Sequence, residues 1–179
     1  MPFLVAGMVV FGLLCLVNLV LTLAVIRRLR EHTEQLVALK AGDPAEVLLA
    51  TGTSLPVFEA ESVDGETIDS RVTSPEVVAL LSTECSVCLD QLPDLVGLIT
   101  DRRVDRPAAV AVIMGDDSAQ AEQLVEKLRP IASVVRQPWG GPIEKAFQAR
   151  AFPAFYLASE GVVRAASISV MELDRPVSA

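Results

Sequence analysis

Three cysteines and one histidine are the whole stock of soft metal ligands in this 179-residue chain. A closed structural zinc site takes four ligands, commonly two cysteine pairs. Here the pair Cys85 and Cys88 has no second pair to complete it, because Cys15 lies in an apolar N-terminal run and His32 directly follows that run. So few cysteines do not make a disulfide-stapled scaffold either. Basic residues are in deficit: 15 Lys and Arg against 23 Asp and Glu leave a net charge of −8, with an isoelectric point near 4.7. Nucleic acid is bound by basic surfaces, so it is not an expected partner. No internal repeat or low-complexity tract is present.

Charge is missing altogether from Pro2 to Ile26, where Asn18 and Thr22 are the only clearly polar residues. About 20 apolar residues in a helix span a hydrocarbon core, so residues 2–26 are expected to anchor the chain in a lipid bilayer as one transmembrane helix. A cleavable signal peptide is the rival reading, but it would want a basic start and a small-x-small cleavage site, and neither is evident. Arg27, Arg28 and Arg30 follow the run directly, and such residues tend to stay in the cytoplasm. Residues 27–53 read as a juxtamembrane helical stalk and linker. Gly42-Asp43-Pro44 punctuates it, and Val47-Leu48-Leu49 has the composition to pack locally. His32 reads as a solvated stalk residue. Residues 54–179 have the length of one domain.

Within that domain the pair Cys85-Ser86-Val87-Cys88 is the most informative stretch. The apolar, β-compatible run 76–81 precedes it, and Leu89, Leu92, Leu95, Val96 and Ile99 follow at the spacing of one helix face. A strand, a short turn and a helix place both thiols at a helix N-terminus, where unpaired N–H groups favour a thiolate. The thiolate is the species that attacks disulfides, so the placement suits thiol–disulfide exchange. Cys85 comes first and is expected to be the exposed nucleophile; Cys88, one turn in, would resolve the mixed disulfide. Half of a zinc site and two small core residues are the competing readings.

The remaining elements follow from the same patterns. Asp64-Gly65 between two alternating stretches marks a hairpin over 58–69. Residues 108–114 form a strand, and Asp117 or Ser118 caps a helix that buries Ala121, Leu124, Val125 and Leu128. A strand over 132–136, a helix over 142–150, and strands over 154–158 and 161–167 complete the series. Strands alternating with helices indicate parallel units, while the last two strands, joined by three residues, must be antiparallel. The expected class is therefore α/β: a mixed sheet of four or five strands with flanking helices.

This order, with Leu55-Pro56-Val57-Phe58 and the Asp64-Gly65 hairpin, the Cys85–Cys88 motif and Phe152-Pro153 ahead of a strand, resembles membrane-anchored thioredoxin-like proteins of the TlpA and ResA type. Within them it is most similar to the MauD-like proteins linked to methylamine utilisation. The resemblance covers about residues 54–167 and implies a thioredoxin-like fold preceded by the anchor. It implies an oxidoreductase without a cofactor, acting on disulfides or dithiols of partner proteins together with a redox partner, with reduction as the default direction. It also implies that Pro153 is cis and lines a substrate groove beside the cysteines; alternatively Pro153 starts an edge strand, where proline is tolerated.

Glu84, Ser86, Val87 and Phe152 are the expected modulators. Glu84 departs from the tryptophan of thioredoxins at this place, and a carboxylate close to the sulfur would raise its pKa. The terminal helix is expected to be short or absent. Val78 and Ser82 stand where a peroxiredoxin carries its proline and threonine, which argues against peroxidase action. Trp139 is either an exposed anchor on the cysteine face or packed over the helix beginning near Pro142. In the first case the alternative function is a redox-silent interaction module. For the side of the membrane, the three arginines favour the cytoplasm and the resemblance favours the extracytoplasmic face; the expectation adopted is extracytoplasmic.

Overall fold

The computed structural model describes residues 47–173 and four helical positions of the apolar run, Gly12, Leu14, Leu16 and Asn18. The chain divides into two compact units, Met1–Gly42 and Asp43–Ala179. The expected anchor and stalk otherwise lie outside the described residues. Among the described residues no helix is long and apolar enough to cross a membrane.

In the second unit a two-stranded hairpin, β1 (Glu59–Glu61) and β2 (Thr67–Asp69), is followed by a single helical turn, α1 (Ser70–Thr73). The main sheet contains β3 (Val77–Ser82), β4 (Ala109–Met114), β5 (Ser133–Gln137), β6 (Ala154–Ser159) and β7 (Val162–Ser167), ordered β5-β4-β3-β6-β7. β3, β4 and β5 run parallel, from Val77 opposite Ala109 and Val110 opposite Ser133 onward; β6 and β7 are antiparallel additions. Because β6 runs against β3, its first residues lie at the same end of the sheet as the last residues of β3, β4 and β5. That shared end carries the cysteines.

Every residue of β3 and β4 is buried, which is why both read as unbroken apolar runs rather than alternating ones. Their side chains still alternate between two core layers. Val77, Ala79 and Leu81 pack with Leu95, Leu98 and Ile99 of α3 (Leu92–Asp101) and with Ala121, Leu124 and Leu128 of α4 (Ala119–Leu128). Val78 and Leu80 pack on the opposite face with Ile143 and Phe147 of α5 (Pro142–Phe147), Tyr156, and Phe58 and Ile68 of the hairpin.

Three local features differ from the sequence reading. The single helix expected after Cys85 is two, α2 (Ser86–Asp90) and α3, broken at Gln91. Pro93 lacks the N–H that would reach the Leu89 carbonyl, and its ring would collide with that carbonyl, so a new helix begins with proline in its first turn. α5 stops at Phe147 rather than 150, with Gln148 in the left-handed region. The terminal helix α6 (Val170–Leu173) is short, as expected, at four residues. At the end of the expected linker, Leu48 is buried in the core, Gly52 donates to the Val163 carbonyl and Val163 donates to that of Thr53.

The hairpin is fastened to the edge of the sheet. Val63 N–H donates to Val134 O on β5, and the Asp64 carboxylate pairs with Arg106 and Arg129. The Asp64-Gly65 turn is thus a cross-brace as well as a reversal.

Candidate active site

β3 ends at Ser82, whose hydroxyl accepts the N–H of Glu84 and so turns the chain out of the sheet. Thr83 N–H still follows the sheet, donating to Met114 O of β4 at 2.9 Å. Cys85 then stands in extended backbone (φ −110°) as the N-cap of α2, and Cys88 is the third residue inside. Both are free thiols. Cys85 is partly exposed, whereas Cys88 is 1% exposed and belongs to the α3/α4 core layer. Cys85 is therefore the more accessible of the two sulfurs.

The Cys85 sulfur is surrounded by donors. Its pKa falls from 9.0 to about 6, first through a hydrogen bond from the Cys88 thiol, then through the N–H groups of Cys88 and Val87, against the opposing effect of partial burial. Most of Cys85 is therefore thiolate at pH 7. The Cys88 pKa is pushed up by its bond to the Cys85 sulfur and by burial, and only Ser82 N–H, 3.5 Å away, works the other way. One sulfur is ready to attack while the other holds its proton. The carboxylate whose charge opposes ionisation of Cys85 is that of Asp90, one turn along α2. Glu84, given that role in the sequence reading, is not among the groups that act on the sulfur, although both carboxylates are exposed.

Phe152 and Pro153 close the site from the β6 side. The peptide between them is cis, as the family resemblance implied, and Pro153 is buried. The Phe152 carbonyl lies 3.4 Å from the Cys85 sulfur and accepts from it when it is protonated. Ser86 and Val87 are exposed beside it.

Trp139 joins the group from the loop between β5 and α5. Its ring meets Phe152 edge-on, with centroids 5.5 Å apart and planes at 73°, and 43% of the residue remains exposed. The loop turns through Gly140 at φ +72°, where a residue with a Cβ is strained, and Glu144 accepts the Gly140 N–H at 2.7 Å. The tryptophan thus contacts the residue before the cis proline and remains partly exposed.

Sequence reasoning missed two glutamines. Gln120 of α4 donates from Nε2 to the Cys85 carbonyl at 2.8 Å and to the Ser82 carbonyl at 3.4 Å. Gln91, at the helix break, donates to Ile168 O and accepts from Val170 N–H, which ties the cysteine helix to the end of the sheet. Neither lies in a motif, and both act across dozens of residues, so spacing gave no signal. Among the described residues no three His, Cys, Asp or Glu side chains are grouped to hold a metal. Cavities of about 300 Å³ (between Ile99 and Ile131) and 270 Å³ (between Pro93 and Met171) include neither cysteine.

The sequence matches no family model and no curated protein. Solved structures do match. The thioredoxin domain of a thiol-disulfide oxidoreductase from Bacteroides vulgatus is 17% identical with a TM-score of 0.55, over 70% of this chain and 93% of that one. A putative thiol:disulfide interchange protein DsbE from Chlorobium tepidum is 19% identical with a TM-score of 0.51, over 67% and 86%. A secreted Mycobacterium tuberculosis disulfide oxidoreductase homologous to E. coli DsbE is 16% identical with a TM-score of 0.51, over 68% and 86%. The likeness at these identities is one of fold: this is a mixed α/β thioredoxin-like domain with a five-stranded sheet and flanking helices.

Proposed function

We propose that this chain is a membrane-anchored thiol–disulfide oxidoreductase that reduces disulfides of partner proteins through Cys85 and Cys88. One observation carries the reading: on a thioredoxin-like scaffold, an accessible sulfur stabilised as thiolate neighbours a buried sulfur held as thiol. The similar solved structures are those of thiol-disulfide oxidoreductases and of a putative disulfide interchange protein, the same chemistry.

The Cys85 thiolate attacks one sulfur of the partner disulfide. The S–S bond breaks, the second partner sulfur leaves as thiolate, and a Cys85–partner mixed disulfide remains. Cys88 then gives up its proton, which the departing thiolate can take, and attacks Cys85. The mixed disulfide breaks, the partner leaves with both sulfurs reduced, and the chain is left with a Cys85–Cys88 disulfide. Resetting it takes two electrons and two protons from the dithiol of another redox protein. The two sulfurs close so short a loop that their bond adds little chain-entropy stability, consistent with a catalytic rather than a structural disulfide.

The reducing direction and the MauD-like affinity rest on the sequence resemblance. The anchor rests on the uncharged run 2–26, in which Leu14 and Leu16 are helical and exposed. The resemblance favours the extracytoplasmic face for the domain, while Arg27, Arg28 and Arg30 favour the cytoplasm. Protease added to intact spheroplasts digests the domain on this reading; protection until lysis would assign it to the cytoplasm.

The exchange step is tested by trapping. In cells making the Cys88→Ala protein, Cys85 should hold partners as mixed disulfides visible on non-reducing gels, and Cys85→Ala should hold none. Trapping by Cys85→Ala alone would reverse the two roles. Partner binding unaffected by either change, with no mixed disulfide, would support the redox-silent module.

A further inference from the structure

The segment that leads into α4 grips the cysteine turn at two points that no motif announces. Asp116 Oδ1 accepts from Thr83 Oγ1 at 3.4 Å, two residues before Cys85. Ser118 then caps α4 by accepting the Ala121 N–H, which sets the direction of the first helical turn. Gln120, on that turn, reaches back across 35 residues of sequence to the carbonyls of Ser82 and Cys85.

Those two carbonyls frame the turn. Ser82 O also accepts the N–H of Cys85, and Cys85 O also accepts the N–H of Cys88. The Val87 and Cys88 N–H donors that face the Cys85 sulfur follow directly on the Cys85 carbonyl, in the first turn of α2, so the placing of that carbonyl sets theirs. α2 is only five residues long and its N-cap has no side-chain hydrogen bond, so it brings little of its own to hold those donors in place.

We propose that Gln120 is a positioning residue of this site, its amide locking the Ser82–Cys85 carbonyls to α4 so that the turn keeps its N–H donors aimed at the Cys85 sulfur. The inference rests on the exchange reading for its purpose, but not for its geometry. The titratable groups acting on Cys85 are Cys88 and Asp90, both on α2; from the α4 side Asp116 faces Thr83, and from the β6 side the Phe152 carbonyl faces the sulfur. Gln120 is thus an uncharged contributor among them. Without its donor the turn relaxes, the N–H groups lose alignment, and a smaller fraction of Cys85 is ionised near neutral pH.

The test is the pH profile of Cys85 alkylation by iodoacetamide in the reduced full-length protein in detergent. Gln120→Met keeps the length and apolar stem without the donor. It should alkylate up to about threefold more slowly than wild type at pH 6.5, a shift of up to about one pKa unit. At pH 10, where the thiol is ionised in both proteins, it should match wild type. A superimposable profile would overturn the proposal, as would an equal deficit at every pH, which would mean lost access or folding. Gln120→Ala serves as a second variant should Met fail to pack, with the same two outcomes. Wild-type reduction of a protein disulfide, measured alongside, reports on the exchange reading independently: its failure leaves the alkylation profile to be judged alone.

Discussion

Trp139 and Phe152 meet edge-on at 5.5 Å beside the reactive sulfur, with Trp139 still 43% exposed. Val87, two residues after Cys85, is exposed as well, so the residues near the sulfur present apolar surface to a partner. A protein disulfide must bring its own side chains over this surface, whereas a small disulfide reaches the sulfur without doing so. Trp139→Ala should therefore slow reduction of insulin about five- to tenfold, in the range of an interface hot spot, and leave reduction of 2-hydroxyethyl disulfide unchanged. Equal losses on both substrates would show that the ring supports the site rather than the partner.

The thiol pair predicts a pH dependence with a definite sign. Cys85 alkylation should be half-maximal near pH 6 in the wild type. Cys88→Ala removes the largest stabilising contact, so the midpoint should move up toward the ordinary thiol range. Because the folded pKa of Cys85 is lowered, its contribution to stability is complete above the unfolded thiol value near 9 and is lost as pH falls toward about 6. The raised pKa of Cys88 works in the opposite sense, its contribution being complete below 9 and lost above it. The urea midpoint of the reduced protein, compared with that of Cys85→Ala, should accordingly show a difference that grows from pH 6 to 9. A difference that shrinks over that interval would contradict the assignment.

Gly115 is the third point of leverage. It sits at φ +129°, and a Cβ there would lie 1.9 Å from Thr83 Oγ1. Gly115→Ala combines backbone strain with a collision, for a loss of about 2–4 kcal/mol in urea unfolding. Adding Thr83→Ala removes the hydroxyl from the collision and should restore part of that loss. A double mutant no more stable than Gly115→Ala would place the cost in the backbone alone.

Much of this arrangement was legible in the sequence, for identifiable reasons. β3 and β4 are buried on both faces, so their apolar runs stood out. Ser118 caps α4 through a contact three residues away, and the turn between β6 and β7 is local. The cysteine pair carried its meaning in the strand before it and the helical spacing after it. The break at Gln91 was obscured because the apolar spacing continues through it while Pro93 starts a new helix. Asp90 acts on Cys85 from the end of α2, whereas Glu84, adjacent in sequence, does not, and adjacency alone gave no way to tell them apart. Gln120, Gln91 and the Trp139–Phe152 contact are products of the tertiary fold, joining residues that spacing cannot relate.

The central claim, exchange through Cys85, is tested most directly by reduction of insulin with dithiothreitol as electron source, using the full-length protein in detergent. The wild type should accelerate precipitation of the insulin B chain over dithiothreitol alone, and Cys85→Ser should return the rate to that background. Acceleration that survives in Cys85→Ser, or its absence from the wild type, would contradict the account.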